Sequence, residues 1–273
     1  MKLERILSFV SDAPWCITER AFTNIQTLIN AKLQGASIND FVSDDSDDDS
    51  PFEIVGNTAI LPVTGVILPR CSGLQALCGA FSLDDFKANL KTLGTNPQVS
   101  NVILAFDSPG GSVRGLLEAA DAVNALVAVK PVYAFVGAGC MCDSAAYWIA
   151  SQCSGIFSSK SGETGCIGVF MAFVDQSAAF EQEGLKVQLF KAGEQKAMGV
   201  AGTSLSDKDK EYLQGCVDKT YAQFTAAIKA KRPNVPTQAM QGLPYTTDDA
   251  LALSLVDGQI SDINSLVNYL NAA

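Results

Sequence analysis

Two glycine-bearing turns and a pair of lysines carry the chemistry that this sequence can offer. Val102-Ile103-Leu104-Ala105-Phe106 is a short apolar run ending in Asp107-Ser108-Pro109-Gly110-Gly111-Ser112. Farther on, Pro131-Val132-Tyr133-Ala134-Phe135-Val136 leads into Gly137-Ala138-Gly139-Cys140-Met141-Cys142-Asp143-Ser144. Each half reads as a buried strand, a turn and a helix start. Two glycines directly after a strand permit positive φ and let the backbone approach a ligand. Aimed at a carbonyl, the N–H of Gly110 or Gly111 would form an oxyanion hole; a tight turn with no ligand is the plainer use of such a pair. Ser144 precedes Ala145-Ala146-Tyr147-Trp148-Ile149-Ala150, a good helix former. Its hydroxyl therefore stands at a helix N-terminus, where developing negative charge is favoured. Serine is also a preferred capping residue there. The small residues 138, 139, 145 and 146 leave room for a substrate backbone beside it.

A serine nucleophile needs a base, and the chain contains no histidine. That removes the Ser-His-Asp triad, the Cys-His dyad and every His-ligated metal site. The remaining bases are a lysine, a carboxylate or an N-terminal amine. Lys191 and Lys196 flank Ala192-Gly193-Glu194-Gln195, and Lys186 alternates outward on the segment before them. A lysine base must be neutral, so its pKa has to fall from about 10.4 to about 7 or 8 through burial or a nearby cation. The pattern leaves Lys191 and Lys196 both open. Cys140-Met141-Cys142 lacks the two-residue spacer of a zinc or redox pair, so neither metal nor cofactor is expected. The eight cysteines sit mostly in apolar runs, which reads as reduced core thiols rather than a disulfide frame.

The elements that must hold these residues follow from periodicity. Residues 1–42 read as an N-terminal helical segment, capped near Thr18 and carrying Phe22, Ile25, Leu28 and Ile29 on one face. The run 43–50 is almost wholly aspartate and serine, a solvated acidic linker. Residues 51–273 read as the domain that carries the site. It opens with a hairpin turning at Gly56-Asn57, and Val63 to Leu68 continues as a strand. A helix capped at Ser82 follows, then the Val102 strand, a helix from 114 to 129, the Val132 strand and the helix after Ser144. That alternation argues for parallel β-α-β units with right-handed crossovers. Ile167 to Val174 reads as a buried strand, 175–183 as a short helix, and Leu185-Lys186-Val187-Gln188-Leu189 as a half-exposed strand. Ser206 opens a long helix stopped by Arg232-Pro233, and a small helix-strand unit surrounds 250–260.

Composition bounds the partners. Hydrophobic residues make up 48% and charged residues 18%, an ordinary globular balance. The net charge of −10 argues against nucleic acid or an anionic membrane as partner. No apolar run approaches a membrane span, and charges interrupt the first ten residues, unlike a secretory signal. A cytoplasmic protein with no membrane anchor is the expectation.

Asp-Ser-Pro-Gly-Gly at 107–111, Asp143-Ser144-Ala145-Ala146-Tyr147-Trp148-Ile149-Ala150, Gly165-Cys166-Ile167-Gly168-Val169 and Lys191-Ala192-Gly193-x-x-Lys196 together resemble the signal peptide peptidase A family of serine peptidases. Ala13-Pro14-Trp15-Cys16-Ile17 and Leu61-Pro62-Val63-Thr64-Gly65-Val66-Ile67 are similar to its phage and prophage branch, the head-maturation (capsid) proteases. The resemblance spans about residues 13–30 and 58–260. It implies an α/β chain with a Clp-protease/crotonase-like fold of spiral β-β-α units. It implies a Ser-Lys dyad of Ser144 as nucleophile and Lys196 as general base, with the oxyanion at Gly110 and Gly111. Gly168-Val169-Phe170 would wall a groove in which an extended polypeptide pairs as an added strand. Cys166 stands where the family usually has a serine that orients the lysine, and Ser254 where it usually has glycine. In related bacterial enzymes serine and lysine come from neighbouring subunits, so a homo-oligomeric ring with a shared site is implied.

The expected function is thus an endopeptidase cleaving scaffold, portal or related proteins during phage head maturation, in the bacterial host cytoplasm or the procapsid. Two rivals stand beside it. One is a catalytically silent, ring-forming capsid module. The other is an acyl-CoA hydratase or isomerase on the same fold, for which Glu118 is the acidic candidate after Gly111.

Overall fold

In the computed structural model, residues 14–33, 50–71 and 79–272 are described; positions 43–49 of the expected acidic linker lie outside them. The N-terminal segment departs from expectation at once. Trp15–Ile17 is a strand, β1, and only then does helix α1, Glu19–Leu33, begin. Pro14 cannot donate to a helix, and Trp15, Cys16 and Ile17 are all buried, as aromatic and β-branched residues in a sheet tend to be. Thr18 Oγ1 then accepts the Ala21 N–H at 3.3 Å and opens α1.

β2 (Glu53–Val55) and β3 (Thr58–Thr64) form the expected hairpin, with Gly56 at φ 65°. The run from Val63 does not continue as one strand. Gly65 at φ 85° turns the chain, and β4 (Ile67–Leu68) joins a different sheet together with β5 (Phe81–Ser82). Ser82 caps α2 (Leu83–Thr95), its Oγ accepting the Asp85 N–H, and Leu83, Phe86, Leu90 and Leu93 turn inward. Next come β6 (Asn101–Asp107), β7 (Gly110–Ser112), α3 (Leu116–Val127), β8 (Val132–Val136), β9 (Met141–Asp143) and α4 (Ala145–Ala150). β10 (Gly155–Ser158) and β11 (Glu163–Gly165) follow, then α5 (Ser177–Gln182), α6 (Asp207–Lys231), β12 (Pro244–Thr246), α7 (Thr247–Ala252), β13 (Gly258–Gln259) and α8 (Ile263–Ala272).

The large sheet runs β13-β10-β8-β6-β3-β2, parallel throughout except for the β2–β3 hairpin. Each long strand hands on to a short strand in one of two smaller sheets, β1-β7-β4-β5 or β12-β11-β9, and a helix returns the chain. β6 leads to β7 and α3, and β8 leads to β9 and α4. This is the spiral of β-β-α units that the resemblance implies. Its core lies between the large sheet and the helices, where Leu61, Val63, Val102, Leu104, Val132, Ala134, Phe86, Val123 and Trp148 belong to one buried cluster.

Two expected strands are absent. After β11 the chain bends through Gly165 (φ 127°) and Cys166 (φ 50°) and leaves the sheet. From Ile167 to Val174 it makes only an isolated bridge, Trp15 with Phe170. Leu185 to Leu189 is irregular and, apart from the half-buried Val187, exposed; among the described residues it pairs with no strand. Regular structure resumes at α6, whose Ser206 and Asp209 form a reciprocal capping box.

The last unit is tied down by Arg232, whose guanidinium donates to Asp257 Oδ1 at 2.8 Å and Oδ2 at 3.0 Å and to the Ser254 carbonyl. Ser254 itself sits at φ 58° just beyond α7, and Leu255 N–H returns to the Ala250 carbonyl at 2.8 Å. That is the left-handed position that closes a helix and favours glycine. Ser254→Gly is therefore expected to stabilise the protein by about 0.5–1 kcal/mol, read as a higher urea midpoint at unchanged slope. A lower midpoint would contradict the strain.

Candidate active site

Ser144 is set at the junction of β9 and α4. β9 pairs in parallel with β11 so that Gly165 lies opposite Asp143, and Ser144 N–H donates to the Gly165 carbonyl at 2.7 Å. Behind it α4 is buried at every residue. Tyr147 Oη donates to the Leu255 carbonyl at 2.9 Å, and Trp148 stacks on Phe224 with ring centroids 4.6 Å apart. The serine itself adopts φ 56°, ψ −113°, a conformation that costs a non-glycine residue about 1–3 kcal/mol. Its hydroxyl is not used as a cap, and its buried Oγ has no oxygen or nitrogen partner, only the Cys16 thiol beside it. The plain capping role is thus ruled out by geometry. A strained serine with an unspent hydroxyl is what a nucleophile at a strand-to-helix turn requires.

Gly110 and Gly111 reach the same place from the other sheet. Ser108 N–H donates to the Met141 carbonyl and Asp143 N–H to the Ser108 carbonyl, which knits the end of β6 to β9. Gly110 is at φ 95°, and a Cβ there would stand 2.9 Å from Ser144 Cβ, so the two turns touch. The Gly110 N–H donates to Ser108 Oγ at 3.2 Å, while that hydroxyl donates to the Gly65 carbonyl at 2.7 Å. This partnership of the glycine N–H was not legible in the sequence.

Asp143 was also missed. Its side chain is fully buried, no donor reaches either carboxyl oxygen, and desolvation, followed by the nearby Glu163 carboxylate, which also favours the shared proton, holds its pKa up at about 8. A folded pKa above the unfolded value of about 3.8 means that the native state holds this proton more tightly. The cost of ionising it is absent below about pH 4, accumulates as pH rises towards 8, and is complete above that. Asp143→Asn, which never ionises, is expected to stabilise the protein by about 4 kcal/mol more at pH 8.5 than at pH 5. Urea midpoints at the two pH values check this, and an equal gain at both would refute it.

Cys166 lies by the same carboxyls. Burial, and after it Asp143 and Glu163, push its thiol up to about 12, and its Sγ donates to the Gly242 carbonyl at 3.4 Å. Gly168, Val169 and Phe170 are half-buried, and Phe170 exchanges backbone hydrogen bonds with Trp15. Lys196 is not brought to Ser144. It is exposed in a turn where its N–H donates to the Gly193 carbonyl at 3.1 Å, between Gly193 (φ 91°) and Ala197 (φ 70°). Lys191 is exposed as well, and its Nζ donates to the Glu194 carbonyl at 2.7 Å. Glu118 faces solvent on α3, away from the buried side of that helix. Among the described residues no group of histidine, cysteine and carboxylate side chains is placed to hold a metal ion, and the seven described cysteines are free. No helix among them is long and apolar enough to cross a membrane.

A spiral β-β-α chain with a strained serine facing a glycine turn defines the class, and comparison supplies the family. Residues 124–273 match peptidase family S49, and the chain belongs to it. It is 31% identical over 228 residues to capsid assembly protease C of Escherichia phage lambda, an alignment covering 81% of this chain and 51% of that protein. It is 30% identical over 178 residues to head-tail preconnector protein GP5 of Enterobacteria phage P21, covering 65% and 35%. The chain thus spans about half of the length of the first of these relatives and about a third of the second. Among solved structures, a membrane protease specific for a stomatin homolog from Pyrococcus horikoshii aligns with TM-score 0.41 and 14% identity over 77% of this chain and 76% of that one.

Proposed function

We propose that this chain is a serine endopeptidase with a Ser-Lys dyad that cleaves proteins of a phage head during its assembly. The observation that carries the reading is Ser144, a buried serine of a histidine-free S49 chain, held at φ 56° with its hydroxyl unspent. Ser144 Oγ attacks the carbonyl of an extended polypeptide while the neutral amine of Lys196 takes its proton. The oxyanion takes over the Gly110 N–H from Ser108 Oγ, with Gly111 beside it; one such donor is worth about 3–4 kcal/mol in the transition state. The ammonium returns its proton to the leaving amine. The acyl-enzyme is then hydrolysed by a water that gives its proton to the same amine, which passes it to the departing Ser144 Oγ.

Lys196 reaches Ser144 from a neighbouring subunit, because in a single chain its side chain stands in solvent. Cys166, which lies near Asp143, is then the group that orients the amine, and Gly168-Val169-Phe170 forms the far wall of the substrate groove. The capsid protease and preconnector relatives support substrates among phage head proteins, and hence action in the host cytoplasm or the procapsid.

A fluorophosphonate probe tests the chemistry. It is expected to label the assembled protein at Ser144 and to leave Ser144→Ala unlabelled, with cleavage of casein at least about a thousandfold lower in that variant. Mixing Ser144→Ala with Lys196→Ala subunits is expected to restore activity. A protein that oligomerises yet neither labels nor cleaves between pH 7 and about 10 would be the silent capsid module; the pH range is the one that deprotonates lysine.

A further inference from the structure

The cleft between Gly110-Gly111 and Phe170 is already filled by the chain itself. β7 has two edges. Along one it pairs in parallel with β4, Ile67 opposite Gly111. Along the other it pairs antiparallel with β1, in the register Trp15 to Ser112, Cys16 to Gly111 and Ile17 to Gly110. The order β1-β7-β4-β5 leaves β7 no free edge. The opposite wall is taken too. Trp15 N–H donates to the Phe170 carbonyl at 2.9 Å and Phe170 N–H to the Trp15 carbonyl at 3.1 Å. An extended polypeptide pairing with both walls would need the same backbone groups that β1 holds.

The register places a peptide bond at the nucleophile. The Cys16 carbonyl oxygen lies 2.3 Å, and Ser144 Cβ 2.9 Å, from the point where a Gly110 Cβ would stand. A main-chain carbonyl of β1 and the Cβ of Ser144 therefore close on the same point beside Gly110. The Cys16 side chain is fully buried and lies beside the Ser144 hydroxyl and near the Cys166 thiol. A small residue thus fills the space that a substrate side chain would take at the nucleophile. The strand is anchored by rings at its ends rather than by the site. Trp15 meets Phe22 edge-on at 5.8 Å, and Phe22 meets Phe170 at 5.0 Å.

We propose that β1 is a built-in pseudosubstrate, lying in the cleft in substrate register and holding the peptidase latent until an extended polypeptide displaces it. The inference rests on the peptidase reading above. Displacement exchanges one set of strand hydrogen bonds for another, so the barrier lies in withdrawing Trp15 and Ile17 from their apolar seats.

The test compares the full chain with its Trp15→Ala/Ile17→Asp double variant. Fluorophosphonate labelling of Ser144 and cleavage of fluorescein-casein are expected to rise at least tenfold in the variant. Adding an excess of a synthetic peptide of residues 13–20 should return both to the slow rate. Equal rates in the two proteins would overturn the latency while leaving the peptidase standing. Failure of both to label would remove the peptidase and the latency together. Loss of residues 1–16 by self-cleavage would also overturn it, since a cleaved strand is a substrate and not a plug. Because the double variant disturbs buried residues, a second measurement leaves β1 untouched. In Ser144→Ala, alkylation of Cys16 by N-ethylmaleimide, followed by mass spectrometry, is expected to be slow alone and at least tenfold faster with excess casein. An unchanged rate would count against displacement.

Discussion

Lys196→Ala is expected to lower polypeptide cleavage by at least about a thousandfold, while Lys191→Ala stays within about twofold of the parent. The two lysines are equivalent in sequence pattern but not in the fold. Lys191 Nζ donates to the Glu194 carbonyl at 2.7 Å, and Lys208 pairs with the Glu194 carboxylate at 2.6 Å, so that lysine helps to close its own loop. No such bond is found for the Lys196 amine among the described residues, and the left-handed residues on either side of its turn, Gly193 and Ala197, hold it at the tip. An amine kept clear of partners is free to enter another site. Both lysines are exposed, so neither substitution should move the urea midpoint measurably. Retained cleavage in Lys196→Ala alongside loss in Lys191→Ala would transfer the base to Lys191.

Gly111→Ala is expected to be among the most damaging single substitutions in the chain, costing about 4 kcal/mol of stability. The reason is not backbone conformation, since Gly111 has no positive φ. Its added Cβ would stand 2.0 Å from the Ile67 carbonyl oxygen and 2.6 Å from the Ile67 nitrogen. Both are main-chain atoms of β4, which a rotamer change cannot move aside. β7 would have to part from β4, carrying Gly110 and its N–H away from Ser144. Chemical unfolding should show the loss, and fluorophosphonate labelling should fall with it even where the variant remains folded. A stable, fully reactive Gly111→Ala protein would show that β7 does not approach β4 this closely.

Much of the spiral was legible because its long strands and amphipathic helices are strongly patterned. Val102 to Phe106, Val132 to Val136 and the Ser82-capped helix all stand where periodicity places them. The short strands of the two smaller sheets were not. Gly110-Gly111-Ser112 carries no apolar alternation, and it becomes a strand because its neighbours on both sides supply the hydrogen bonds. β1 was hidden for a related reason: three residues give too few repeats to tell a strand from the approach to a helix. Leu185 to Leu189 failed in the opposite direction. It alternates as a strand should, but alternation needs an edge to pair with, and among the described residues it pairs with none. At the site, residue types pointed to Ser144 and the glycines. Whether the serine was a cap or a free hydroxyl depended on its backbone angles, and the burial of Asp143 on a fold that brings β9 and β11 together.

The stretch between Phe170 and α6 leaves Phe173, Val174, Leu185, Leu189 and Phe190 in water, with Phe190 95% exposed. Water tolerates such side chains less well as it warms, because the drive to remove apolar surface weakens on cooling and strengthens on heating through the ambient range. Any assembly that covers this stretch inherits that temperature dependence. Subunits joined through it would hold together at growth temperature and loosen on ice. Chilled preparations would then lose quaternary structure first, and with it whatever a neighbour contributes, while each chain remained folded.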